Sequence, residues 1–280
     1  MHLLLTHSLN LALTLLPIFS WLTSVGPADP SAAPTASAAV QEVREEVNKI
    51  VEHLSPGAQV KVSGLNGGLK IETWNGNQAE IHITITASDR EALARHPLYV
   101  EETGNGLTIR TEDLSERNRG RNRDSDDRNW GRNRDYVRHE AVLRLPSNIN
   151  LNVSGINGGV EVGQITGTIA VSGINGGVNV AQAGRATKLS GINGRVSVAF
   201  TSIGEEGLHI SGINGGVELR IPASINAELD VRGTNGSVNS EIQMTTSGEW
   251  RRGELRGTLG SGGPRIEVSG VNGGIHLKRF

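Results

Sequence analysis

The chain contains no cysteine. Disulfides, zinc–thiolate sites and a thiol nucleophile are therefore excluded. Aromatic residues make up only 3% of its 280 residues, so a core must be built from valine, isoleucine and leucine. Charge of either sign is not in excess. The formal net charge is −2, which offers no general attraction to nucleic acid. Catalytic and cofactor signatures are missing too. There is no G-x-S-x-G elbow, no P-loop and no G-x-G-x-x-G fingerprint. His53, His82, His139, His209 and His276 are scattered without metal-ligand spacing. Glu161, Glu218 and Asp230 are too dispersed to form an acid pair, and Trp74 and Trp250 are too isolated for a sugar platform. The expectation is a protein with no catalytic, cofactor-binding or metal-binding residues.

What the chain has instead is glycine, 37 residues of 280 or about 13%, against the ~7% that is usual. Most of the excess lies in one heptapeptide written seven times. It reads SGLNGGL from Ser63 and SGINGGV from Ser154, Ser172 and Ser211. It recurs as SGINGRV from Ser190, RGTNGSV from Arg232 and SGVNGGI from Ser269. From Ser154 onward the copies start 18, 18, 21, 21 and 37 residues apart. The last step reads as two repeats with one motif lost. Recurrence near 20 residues marks an array in which each unit buries its apolar face against its neighbours.

Around each motif apolar residues alternate, as at Ile149, Leu151 and Val153, and the alternation slips at Gly155 before resuming at Val160 and Val162. Each unit is thus two short strands with an Asn-Gly corner between them. Two architectures satisfy this. A hairpin meander would use Asn-Gly as a two-residue turn between antiparallel strands. A solenoid would stack equivalent positions ~4.8 Å apart. The solenoid is favoured, because only in-register stacking gives a reason to keep the same Ser, Gly and Asn in every unit. Asn157, Asn175, Asn193, Asn214, Asn235 and Asn272 would then form a ladder of side-chain amides. The expected fold is all-β, a β-solenoid of ~18–21-residue repeats.

The rest of the chain divides by composition. Residues 3–22, LLLTHSLNLALTLLPIFSWL, are apolar and are followed by PADPSAAPTASAA. Residues 1–26 read as a signal peptide or, left uncleaved, a membrane anchor, since the stretch just reaches the ~20 residues needed to span. Residues 27–40 read as a flexible linker. Either way the remainder is expected to be exported, to the cell envelope (periplasm or cell surface) or secreted. Residues 41–114 form an N-terminal β-strand region. Within it, 40–54 fit a helical face but also allow a strand. Residues 88–96 look like a short helix with Ser88 as N-cap, and PLYVEE turns at Gly104-Asn105-Gly106 into LTIRTE. Residues 115–135 hold seven Arg, four Asp and almost nothing apolar. They read as a disordered loop, with a polyanion-binding patch as the alternative. The repeat region spans 136–280.

The repeated Gly-Ile-Asn of SGINGGV, together with LSPGAQVKVSGLNGGLKIETWNG, resembles the bacterial putative adhesin family, including its head-GIN-domain members. The resemblance covers residues 41–280 and rests on the number of copies. It implies a right-handed β-helix-like fold and a strand rather than a helix at 47–54. It carries no catalytic residues with it. The expected function is an exported, non-enzymatic, adhesin-like surface or envelope module whose partner is a surface glycan or protein, not nucleic acid. The alternatives are an envelope-stress regulator that binds a membrane signalling protein, and a polysaccharide-acting β-helix.

Overall fold

The computed structural model describes residues 42–104, 106–114, 136–184, 187–246 and 253–279. The signal peptide, linker and Arg-rich loop read from the sequence, and Trp250, lie outside the described residues. The N-terminal part contributes β1 (Val43–Val51), β2 (Gln59–Ser63), β3 (Gly67–Trp74), β4 (Ala79–Ala87), the helix α1 (Arg90–Arg95), β5 (Leu98–Thr103) and β6 (Gly106–Thr111). There follow β7 (Val137–Pro146), β8 (Asn150–Ile156), β9 (Val160–Gln164), β10 (Ile169–Ile174), β11 (Val178–Ala183), β12 (Thr187–Ile192) and β13 (Val196–Phe200). The remainder are β14 (Leu208–Ile213), β15 (Val217–Ile221), β16 (Ala227–Arg232), β17 (Val238–Ser240), β18 (Met244–Thr246), β19 (Glu254–Leu259), β20 (Arg265–Val271) and β21 (Ile275–Arg279).

These strands form an all-β fold of two large sheets, neither closed into a barrel. One has ten strands in the order β1-β4-β7-β3-β9-β11-β13-β15-β21-β17. The other has eleven, β18-β19-β16-β20-β14-β12-β10-β8-β2-β6-β5. Every complete repeat sends its S-G-I strand to the eleven-stranded sheet and its following strand to the ten-stranded one. Successive copies pair in parallel, like residue on like: Ser154 with Ser172, Ser172 with Ser190, and Ser190 with Ser211. An antiparallel meander of repeats is thereby excluded.

The register builds unbroken aliphatic rows. Across the eleven-stranded sheet one row runs Ile109, Val62, Val153, Val171, Leu189, Ile210, Val268 and Val231. Across the other sheet Leu143, Ile71, Val162, Val180, Val198, Leu219 and Leu277 do the same. All are buried. Each such side chain contributes roughly 1.5–3 kcal/mol when removed from water, which lets a chain this poor in aromatics hold a core.

One open local reading is decided and two readings change. Of residues 40–54, which fit a helix or a strand, 43–51 are a strand, antiparallel to β4; its inner side chains pack on an existing sheet, and that tertiary contact outweighs local propensity. The helix at 90–95 is capped by Asp89, whose Oδ1 accepts from Ala92 N at 2.7 Å, whereas Ser88 is buried and its hydroxyl has no partner among the described residues. The step of 37 residues hides no motif-less coil. The chain passes through β17 and β18, returns along β19 antiparallel to β16, and inserts β20 between β14 and β16, and β21 between β15 and β17.

Candidate functional site

The motif can be taken position by position in the copy Ser172–Val178. Ile174 and Val178 are core residues. Gly173 has a φ of 63°, the left-handed region that glycine tolerates. That kink is why the alternation slips, and it turns both Val171 and Ile174 inward. Asn175 donates from Nδ2 to Asn157 Oδ1 at 2.8 Å and accepts at its own Oδ1 from Asn193 Nδ2 at 3.0 Å. A Cβ on Gly176 would lie 2.3 Å from the carbonyl oxygen of Gly158, so the stacking of one copy on the next requires glycine there.

Gly177 answers no such demand. Its φ is not left-handed, and a Cβ there would find its nearest neighbour, Arg195 O, at 3.4 Å. At the equivalent Gly159 the nearest atom would be 3.9 Å away, and at Gly68 nothing lies within 4 Å. Two copies do place a side chain at this position, Arg195 and Ser237. At Gly68, Gly159 and Gly177 the sixth residue of the motif is therefore glycine without a backbone or packing reason.

The parallel register sets these positions side by side. Leu69, Val160, Val178 and Val196 pair in turn across β3, β9, β11 and β13, so Gly68, Gly159, Gly177 and Arg195, which precede them, form one outward row. On β7, Glu140 stands opposite Gly68. The bare glycines floor an open trough of about 630 Å³. Glu140, in an ion pair with Arg138 at 3.3 Å, ends it on one side and Arg195 on the other. Four strand spacings separate the two, roughly 19 Å. Two residues further along each strand, Lys70, Glu161, Asn179 and Ser197 make a polar wall.

The charges of the trough are unequally satisfied. Lys70 Nζ lies 2.8 Å from Glu72 Oε1. Their hydrogen bond, and secondarily their opposite charge, holds the ammonium above its ordinary pKa and the carboxyl below it. Both are solvent-exposed, so the pair adds little stability. Arg195 has no carboxylate within ion-pair distance among the described residues. The neighbouring carboxylate, Glu218, is engaged by Lys278 at 3.0 Å; that hydrogen bond is the main reason its pKa is lowered, with Arg195 a minor contributor.

The amide ladder runs alongside and has seven members rather than six, in the order Asn66, Asn157, Asn175, Asn193, Asn214, Asn272, Asn235. At its head Asn66 Nδ2 donates to Val137 O at 2.6 Å, and Asn66 N donates to Nδ1 of the buried His139 at 3.1 Å. Burial is the main cause that pushes the His139 pKa down, and Nε2 is buried with no partner among the described residues.

The other residues singled out from sequence stay apart. Glu161 and Glu218 lie on one outward row of the ten-stranded sheet with two strands between them. Asp230 is in the other sheet, 6% exposed and bound by Arg232 through Nε at 2.9 Å and Nη2 at 2.5 Å. His53 accepts from Asn77, His82 donates to Asn48, and His209 faces Glu267. Trp74 carries Arg144 4.7 Å over its ring. Among the described residues no three metal-ligating side chains come together, and no helix is long and apolar enough to cross a membrane. The trough itself was missed from sequence. Its one visible signal is the departure SGINGRV, where an arginine replaces a glycine.

No protein-family model matches the chain, and no curated protein matches it. Among solved structures it is similar to a putative cell adhesion protein from Clostridium sporogenes, at 14% identity and a TM-score of 0.37, over 85% of this chain and 100% of that one. It is similar to a putative adhesin from Bacteroides fragilis at 12% identity and 0.30, over 84% and 97%. A putative adhesin from Parabacteroides distasonis gives 13% and 0.26, over 86% and 98%.

Proposed function

We propose that this protein is an exported, non-enzymatic, adhesin-like module of the cell surface or envelope, built as a β-solenoid and working through the outer face of its ten-stranded sheet. The parallel, in-register pairing of successive copies, one strand to each sheet, supports the solenoid. The signal-peptide reading of residues 1–26 supports export. The observation that carries the functional reading is the glycine row at Gly68, Gly159 and Gly177. A fold that does not need those glycines has left a stretch of sheet bare, between a polar wall and two charged ends. Bare backbone admits a flat partner closely, and contact of this kind is shallow, so avidity must come from many copies on one surface.

The test is retention of the purified chain on a glycan array and on intact cells, with Gly159→Trp as the control that fills the trough. Retention that falls at least tenfold in the variant, while its melting temperature holds, is the expected result. Absence of wild-type retention on every glycan and cell surface would overturn the reading. Depolymerisation of a polysaccharide by the purified chain would replace it with the enzymatic one.

A further inference from the structure

We infer that the trough binds a linear acidic glycan, a chain of hexose units bearing carboxylates, laid across β3, β9, β11 and β13 with a carboxylate against Arg195. The inference rests on the surface-binding function proposed above and names its ligand class. Three observations lead to it. The first is the shape. The trough is open, about 630 Å³, and runs across the strands, not along them. Every ~4.8 Å it meets another strand, close to the advance of one pyranose unit in an extended chain, so successive sugars would meet equivalent floor positions.

The second is what the floor strands can no longer do. β9 and β11 are each paired on both sides, β9 by β3 and β11, and β11 by β9 and β13. Their backbone groups are spent in the ladders, so an extended peptide cannot join them as an added strand. The hydrogen bonds left for a ligand come from side chains two residues along, the alternating donors and acceptors of Lys70, Glu161, Asn179 and Ser197. Hydroxyl-rich ligands use such mixed walls.

The third is charge. Of the cations lining the trough, Lys70 is held by Glu72 at 2.8 Å and Arg138 by Glu140 at 3.3 Å. Arg195 alone is without a carboxylate in range among the described residues. A guanidinium takes a carboxylate through two parallel N–H···O bonds, which fixes orientation as well as adding affinity. Its place also matters: Arg195 is the first side chain to rise from the row after three glycines.

The fold supplies unusually clean probes. Arg195→Gly restores the residue that five other copies carry, so it removes the cation without a new steric demand. Gly159→Trp fills the middle of the floor, where the Cβ has room. The full chain is titrated by calorimetry with a decamer of galacturonate, with its methyl-esterified form, and with a neutral glucan of equal length. Binding of the galacturonate chain is expected, about tenfold weaker in Arg195→Gly, lost in Gly159→Trp, and for wild type with the esterified chain no stronger than for Arg195→Gly with the acidic one. Melting temperatures of both variants should match wild type, which separates a binding defect from unfolding. Failure of the acidic chain to bind, or binding unchanged in both variants, overturns the inference. If wild type still adheres to cells or to neutral glycans in that case, the surface function stands and only the acidic-glycan assignment falls. If it adheres to nothing, both fall.

Discussion

The middle of the array and its C-terminal end obey different rules. In the middle, the copies from Ser172 and Ser190 differ only where Arg195 stands, and their asparagines are bonded on both sides at 2.8–3.0 Å. At the end lies RGTNGSV, with Arg232 for Ser, Thr234 for Ile and Ser237 for Gly. Thr234 is half-buried and its hydroxyl donates to Gly273 O at 3.2 Å, while Asn235 makes one amide contact at 3.5 Å. The instructive case is SGVNGGI. It is last in sequence but lies between the copies from Ser211 and Arg232 in space, and it keeps the motif. Neighbours on both sides impose the motif, and position along the chain does not. Terminal units of stacked arrays face water on one side and can become polar there.

The largest expected effect tests that statement directly. Gly176→Ala puts a methyl 2.3 Å from the Gly158 carbonyl, and Gly236→Ala puts one 2.3 Å from that of Gly273. The clashes are alike, but the mid-array copy is paired on both sides in both sheets, whereas the strand that follows Gly236, β17, is the edge of the ten-stranded sheet and has a neighbour on one side only. We expect a destabilisation of about 3 kcal/mol for Gly176→Ala, at the upper end of overpacking effects, and about 1 kcal/mol for Gly236→Ala, measured by urea unfolding. Equal losses would break the comparison. Next in size is the ladder itself. Asn193→Leu removes two solvent-exposed amide hydrogen bonds, whose partners on each side can turn to water, for about 1 kcal/mol. Asn235→Leu removes a single long one and should cost less than about 0.5 kcal/mol. Asn272, the last of these asparagines in sequence, is not the end of the ladder in space, because it is bonded to both Asn214 and Asn235.

Sequence spacing was enough to read the strands, the corners and the ladder, because they depend on residues 18 or 21 apart that repeat in kind. Asn66 escaped because 91 residues separate Ser63 from Ser154, although the two copies stack directly. The insertion of β20 escaped for a related reason. The step of 37 residues fixes how much chain intervenes, not where it goes, and the antiparallel return of β19 has no signature beyond ordinary alternation. The trough was least legible of all. Gly176 and Gly177 look alike in sequence, and only the neighbouring backbone separates the glycine that is needed from the one that is not.

The opposite end of the ladder offers a smaller, pH-dependent effect. His139 is buried, which lowers its pKa below the ordinary 6.5, and its Nδ1 must stay unprotonated to accept from Asn66 N. The unfolded chain therefore takes up the proton first. This contribution to stability is complete above about pH 6.5 and is lost as pH falls through the folded-state value. Unfolding free energy measured from pH 7.5 downward should decline over that window, and His139→Gln should flatten the decline. A profile unchanged by the substitution would show that the cap of Asn66 does not depend on the imidazole.

The smallest expected effect is the one on which the functional reading turns. Gly177→Ala adds a methyl whose nearest contact is 3.4 Å from Arg195 O, at a φ that alanine adopts freely. Removing a glycine also narrows the unfolded ensemble, which stabilises by about 0.4–1 kcal/mol where the native backbone suits the new residue. The variant should therefore unfold at the same urea concentration as wild type or slightly above it. Its neighbour Gly176→Ala, one residue away, should fall far below. A large loss at Gly177 would mean that the row is structural after all, and the trough would then be a by-product of packing. A neutral result leaves the bare floor without a structural reason, which is what a surface kept for contact requires.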